Sequence, residues 1–140
     1  MAVVTAPRAK VLVVEDDGSM RDAMDHLLNM AGFTCAAYTS ADDLLRAGVD
    51  EESVCVVSDM RLPGISGLDL LCALRQRNVA LPFILITAYD TLELRQRAES
   101  CGVSAYLTKP FRGTALLEAL RRVTGPQSPS VQSRPPASIV

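Results

Sequence analysis

Long apolar runs are missing from this chain. No stretch approaches the ~18–20 consecutive apolar residues that cross a bilayer. Residues 1–9 lack the apolar core of a secretory signal, so neither a membrane span nor export is expected. Histidine occurs once, at His26, and the four cysteines, Cys35, Cys55, Cys72 and Cys101, form no C-x-x-C pair. That scatter disfavours a zinc site and a disulfide framework and predicts reduced, mostly buried thiols in a cytoplasmic protein. Surplus positive charge is also absent. The 14 Lys and Arg face 16 Asp and Glu, a net charge of -2, which argues against direct nucleic-acid binding. Neither G-x-G-x-x-G nor a Walker lysine motif occurs.

What the chain does have is 140 residues, the size of one domain, with 49% of them apolar. Short β-branched runs alternate with helical spacing. Strands are expected at 10–14, 34–38, 54–58, 83–87 and 105–108. Between them, Met20, Met24, Leu27, Leu28 and Ala31 mark a helix that stops at Gly32. Ser40 with Asp43, and Ser66 with Asp69, are capping-box signals for the next two helices. Leu94, Ala98 and Cys101 mark a fourth helix, and Leu116, Ala119, Leu120 and Val123 a fifth. Strands that are apolar on both faces indicate a parallel sheet covered by helices. The expected architecture is α/β: a flavodoxin-like, doubly wound (βα)5 sandwich with strand order 2-1-3-4-5. The domain should run from 10 to 124, after an N-terminal extension over 1–9. Pro126, Pro129, Pro135 and Pro136 among Ser and Gln make 125–140 a linker or disordered tail.

The chemistry collects at the strand ends. Glu15, Asp16 and Asp17 close the first apolar run, Asp59 closes the third, and Lys109 follows the fifth. Right-handed crossovers bring these ends to one sheet edge at the topological switch point, where ligands bind in such folds. Gathered carboxylates repel, so a cation or a reaction must offset them. Oxygen donors suit Mg2+, with Mn2+ as a substitute, held by Asp16 and Asp59, by Glu15 directly or through water, and by the backbone carbonyl of Arg61. The Glu-Asp-Asp loop would repel a bare phosphate. A phosphoryl group could approach only where a metal and Lys109 offset the acids, and Asp59 is then the candidate nucleophile. Each residue alone has a plainer reading: acids at a helix start, a turn Asp before Pro63-Gly64, an ordinary loop lysine, a strand tyrosine. Arg95, Arg97, Arg121 and Arg122 read as a solvated face.

Four motifs, in order, then carry a family resemblance: Val-Val-Glu-Asp-Asp at 13–17, Asp-Met-Arg-Leu-Pro-Gly-Ile-Ser-Gly at 59–67, Ile-Thr-Ala at 86–88 and Leu-Thr-Lys-Pro-Phe at 107–111. From about Lys10 to Val123 the chain resembles the receiver domain of two-component response regulators. The resemblance implies a phosphorylation-dependent switch, not a turnover enzyme. It implies that Asp59 accepts a phosphoryl group from a phosphohistidine on a sensor histidine kinase or a histidine phosphotransfer protein. Glu15, Asp16, Asp59 and the Arg61 carbonyl would hold Mg2+, while Lys109 and Thr87 contact phosphoryl oxygens. Thr87 and Tyr106 would form the switch, and Arg61 and Tyr89 would tune phosphoryl lifetime. In the family the bond between Lys109 and Pro110 is usually cis. An output partner or a homodimer would use the fourth helix, fifth strand and fifth helix. Two other roles stay open: the input half of a regulator with a C-terminal helix-turn-helix domain, and a pseudo-receiver that binds partners without phosphorylation.

Overall fold

The computed structural model describes residues 9–125. The expected N-terminal extension and Pro/Ser-rich tail lie outside the described residues, apart from Ala9 and Gly125. The elements are β1 (Lys10–Val14), α1 (Gly18–Met30), β2 (Thr34–Tyr38), α2 (Ala41–Ala47), β3 (Ser53–Asp59), α3 (Gly67–Gln76), β4 (Phe83–Thr87), α4 (Leu92–Ser100), β5 (Ala105–Thr108) and α5 (Gly113–Thr124). One parallel sheet has the order β2-β1-β3-β4-β5, as expected. β3 is a residue longer at each end than the sequence suggested, so Asp59 is its last residue.

The period-two alternation of each strand splits the core into two layers. Val11, Val13, Cys55, Val57, Ile84 and Ile86 point to α1 and α5, where they meet Met24, Leu28, Leu116 and Leu120. Leu12, Val14, Val56, Phe83 and Leu85 point to the opposite face and meet Leu44, Leu70, Leu71, Leu74 and Ala98. Both faces of the central strands are therefore dry, which is why these strands read as continuous apolar runs.

The helix starts are set by side-chain caps. Asp17 accepts hydrogen bonds from the amides of Ser19 and Met20, so this third acid is a helix cap. Ser66 and Asp69 form the full reciprocal box. The Ser40 box is only half made. Its hydroxyl accepts from the Asp43 amide, but the Asp43 carboxylate accepts from the Thr39 hydroxyl and pairs with Arg46. Thr91, not singled out in the sequence, caps α4 by accepting from the Leu94 amide.

The expectation of four reduced thiols fails for two of them. Cys72 on α3 and Cys101 at the end of α4 form a disulfide, with their Cα atoms 5.7 Å apart. They are 29 residues apart in the chain, but both helices lie against the same layer of the core. Cys35 and Cys55 are free. Burial pushes both thiols up to about 12, with the Asp25 carboxylate adding to the effect at Cys35. Alkylation of the native chain at neutral pH is therefore expected to leave both unmodified. Rapid labelling of Cys55, read by mass, would contradict its burial.

Candidate functional site

The acids lie where β1 and β3 end side by side. The pairing of Val14 with Ser58 puts Glu15, just past β1, and Asp59, the last residue of β3, at the same edge. Oxygens of Glu15, Asp16 and Asp59 all fall within 4.8 Å of one another. Glu15 is 1% exposed and Asp59 7%, while Asp16 is open to solvent. Glu15, Asp16, Asp59, Arg61 and Lys109 line one depression in the surface. Three carboxylates at this spacing, two buried and one facing solvent, fit a hard divalent cation that keeps part of its water.

Lys109 provides the positive charge. Its ammonium donates to Asp59 Oδ2 at 3.1 Å and to Glu15 Oε1 at 3.4 Å. The Asp17 amide donates to the other Glu15 oxygen at 3.2 Å. Burial raises the Glu15 pKa, and the charge of Asp59 raises it further; the Asp17 amide and Lys109 oppose both without cancelling them. For Lys109 burial works downward, yet the hydrogen bonds and charges of Asp59 and Glu15 together outweigh it and raise the pKa. The lysine therefore stays charged and bridges two carboxylates that would otherwise repel. The Lys109-Pro110 peptide is cis, as the resemblance implied.

Two supports outside the acidic set hold the site: Arg21, which no motif singles out, and Gly67, the last residue of the 59–67 motif. Arg21, one turn into α1, donates to the Glu15 carbonyl at 2.9 Å and fixes the end of β1. Gly67 allows the start of α3 to close against β3. A Cβ there would lie 2.3 Å from the Asp59 carbonyl oxygen and 3.0 Å from Leu85 Cδ1. Gly67→Ala is therefore expected to cost about 1–3 kcal/mol by overpacking and to shift the Asp59 backbone. Urea denaturation measures the first effect, and amide shifts around Asp59 the second.

The remaining site residues lie beside the acids. Thr87 ends β4 and is 1% exposed. Its hydroxyl engages its own loop, accepting from the Tyr89 amide at 3.0 Å and donating to the Tyr89 carbonyl at 3.3 Å. The Arg61 guanidinium sits over the exposed Tyr89 ring, 4.8 Å from its centroid. Tyr106 lies in β5 and packs into the layer of α3 and α4, away from the acidic pocket. Its hydroxyl is buried and has no hydrogen-bond partner of ordinary geometry among the described residues. Arg95 leaves the purely solvated set, because its guanidinium covers the Tyr106 ring.

The comparisons with known proteins agree with this geometry. The model of the response regulator receiver domain matches residues 11–121. Nodulation protein W of Bradyrhizobium diazoefficiens is 38% identical over 84% of this chain and 52% of its own length. The transcriptional regulatory protein FixJ of Azorhizobium caulinodans is 36% identical over 82% of this chain and 54% of its own. The chain thus spans about half the length of these curated relatives. Among solved structures, a CheY-like receiver domain protein from Methanospirillum hungatei JF-1 superposes with a TM-score of 0.79 at 25% identity, covering 86% of this chain and 96% of that one. The N-terminal part of FixJ superposes at 0.76 with 29% identity, over 85% and 95%. With its five-stranded parallel sheet and an acidic cluster beside a lysine at the switch point, this chain belongs to the response regulator receiver domain family of two-component signalling.

Proposed function

We propose that this chain is a phosphoacceptor switch in which Asp59 takes a phosphoryl group from a phosphohistidine of a sensor kinase or phosphotransfer protein. The observation that carries this reading is the Lys109 ammonium bridging Asp59 and Glu15 at the edge of the acidic triad. An Asp59 carboxylate oxygen attacks phosphorus, the phosphorus–nitrogen bond breaks, and the imidazole leaves with the electron pair. Glu15, Asp16, Asp59 and the Arg61 carbonyl are the groups that would hold Mg2+, with Mn2+ as a substitute. The ion supplies positive charge that offsets the acids and the incoming phosphoryl oxygens. Lys109 moves from its carboxylate bridge to a phosphoryl oxygen, and Thr87 gives up its Tyr89 contacts to donate to another. Thr87 and Tyr106 form the switch, and the face of α4, β5 and α5 changes its contacts with an output partner or a second copy. The chain consumes one phosphoryl group per event and regenerates by hydrolysis, so it is an acceptor and not a turnover enzyme.

The test is intact mass after incubation with Mg2+ and acetyl phosphate. Gain of one phosphoryl group, lost with a chelator and in Asp59→Asn, supports the reading. No gain under any condition would favour a pseudo-receiver.

The Arg61–Tyr89 stack suggests slow loss of the phosphoryl group, because attacking water must pass two bulky side chains. Arg61→Ala combined with Tyr89→Ala is expected to shorten the lifetime. A lifetime of seconds in the unsubstituted chain would contradict this.

A second reading is favoured by coverage. The chain matches about half of each regulator named above, so it fits the input part of a longer transcription regulator. Gel filtration with and without beryllofluoride would show whether loading Asp59 drives self-association or leaves the chain free to contact an output domain.

A further inference from the structure

We infer that Asp90 and Arg95 form the positioning pair that links the Thr87 loop to Tyr106. This rests on the switch reading above and names the contact through which the switch would act. Thr87 begins the chain of contacts. Both hydrogen bonds of its hydroxyl among the described residues go to Tyr89, the residue before Asp90. For the Thr87 hydroxyl to reach an oxygen on Asp59, it must leave the Tyr89 amide. The loop from 88 to 90 then loses the bond that fixes it at the end of β4.

Asp90 carries the movement onward. Its carboxylate accepts from Arg95 Nε at 3.3 Å and from Nη2 at 2.7 Å, a side-on fork that fixes the guanidinium plane. That same plane covers the Tyr106 ring, 4.5 Å from its centroid. The Tyr106 hydroxyl makes no hydrogen bond of ordinary geometry among the described residues, but it feels the Asp90 carboxylate directly, so packing, the Arg95 cation and Asp90 together hold the ring. A shift of Asp90 moves Arg95, and Arg95 is what lies on the ring. The fork and the stack both need a planar guanidinium, which lysine lacks. The side chains of Arg95 and Asp90 are 45% and 38% exposed. An ion pair this open is weak, which suits a contact that is made and released during switching.

The test uses the full chain labelled with 3-fluorotyrosine. Its three tyrosine signals, from Tyr38, Tyr89 and Tyr106, are assigned by single Tyr→Phe changes. Fluorine NMR is recorded with and without Mg2+ and beryllofluoride, alongside the rate of phosphoryl uptake from acetyl phosphate. Arg95→Gln and Asp90→Asn are each expected to move the unloaded Tyr106 signal and to remove most of its response to beryllofluoride. The Tyr38 signal and the uptake rate should stay at the unsubstituted values. The double variant should lose no more than either single one, and Arg95→Lys should not restore the response. Glu99, one turn beyond Arg95 on α4, acts on it only through its charge, so Glu99→Gln should behave as unsubstituted. A full Tyr106 response in Arg95→Gln or Asp90→Asn would overturn the inference. Beryllofluoride binding without any Tyr106 response in the unsubstituted chain would overturn it together with the switch role of Tyr106. Failure of the unsubstituted chain to bind beryllofluoride would overturn the phosphoacceptor reading beneath both.

Discussion

Lys109→Ala is expected to slow phosphoryl uptake at Asp59 by about 10²–10³-fold, the usual loss when a preorganised charge on the reacting oxygens is removed. The ammonium now lies 3.1 Å from Asp59 Oδ2 and 3.4 Å from Glu15 Oε1. Without it, Glu15 and Asp59 face each other with no lysine between them, and the positive charge for the added oxygens is gone. The fold should tolerate the change better than the chemistry does. Glu15, whose pKa burial and Asp59 already raise, can take up a proton and relieve the repulsion. Lys109→Arg should recover only part of the rate, because a fork cannot replace a compact ammonium at this depth. Stopped-flow or time-resolved mass measurement with acetyl phosphate gives the rate. Uptake at the unsubstituted rate in Lys109→Ala would remove the lysine from the reaction.

Phe83→Ala is expected to act on the opposite quantity. Phe83 is fully buried at the start of β4, in the layer shared with α3 and α4. Its removal should cost about 3–5 kcal/mol, a large share of the ~5–15 kcal/mol that holds a domain of this size together. Thr87 lies four residues along the strand, roughly 13 Å away at ~3.3 Å per residue. Phosphoryl uptake should therefore survive at temperatures where the variant remains folded. Denaturant unfolding followed by far-UV circular dichroism measures the loss. A change below about 1 kcal/mol would mean that this layer is not close-packed.

These two residues also show what a reading of the sequence can reach. The edge carrying Glu15, Asp59, Thr87 and Lys109 was legible because it depends on strand order and handedness, which the βα alternation fixes. Phe83 was legible as core from its apolar strand. Asp17 was legible as a helix start because capping is local. Contacts set by the packing of one helix on another were not. The Cys72–Cys101 pair spans 29 residues with no spacing signal, and no motif singles out Arg21, which reaches back from α1 to the Glu15 carbonyl. The same holds for Arg95 on α4, whose partners are a loop acid five residues before it and a tyrosine on β5. The half-made Ser40 box is a related case. The motif was present, but Thr39 and Arg46 offered Asp43 other partners.

The central claim is that one carboxylate, Asp59, carries the phosphoryl group. An acyl phosphate is reduced by borohydride to the corresponding alcohol, while an ordinary carboxylate is not. The chain, loaded with acetyl phosphate and Mg2+, is reduced with borohydride, digested and sequenced by mass spectrometry. The account predicts a homoserine mass at position 59 and unmodified Glu15 and Asp16. Reduction at position 15 or 16, or an unmodified position 59 in a chain that has gained a phosphoryl group, would contradict it.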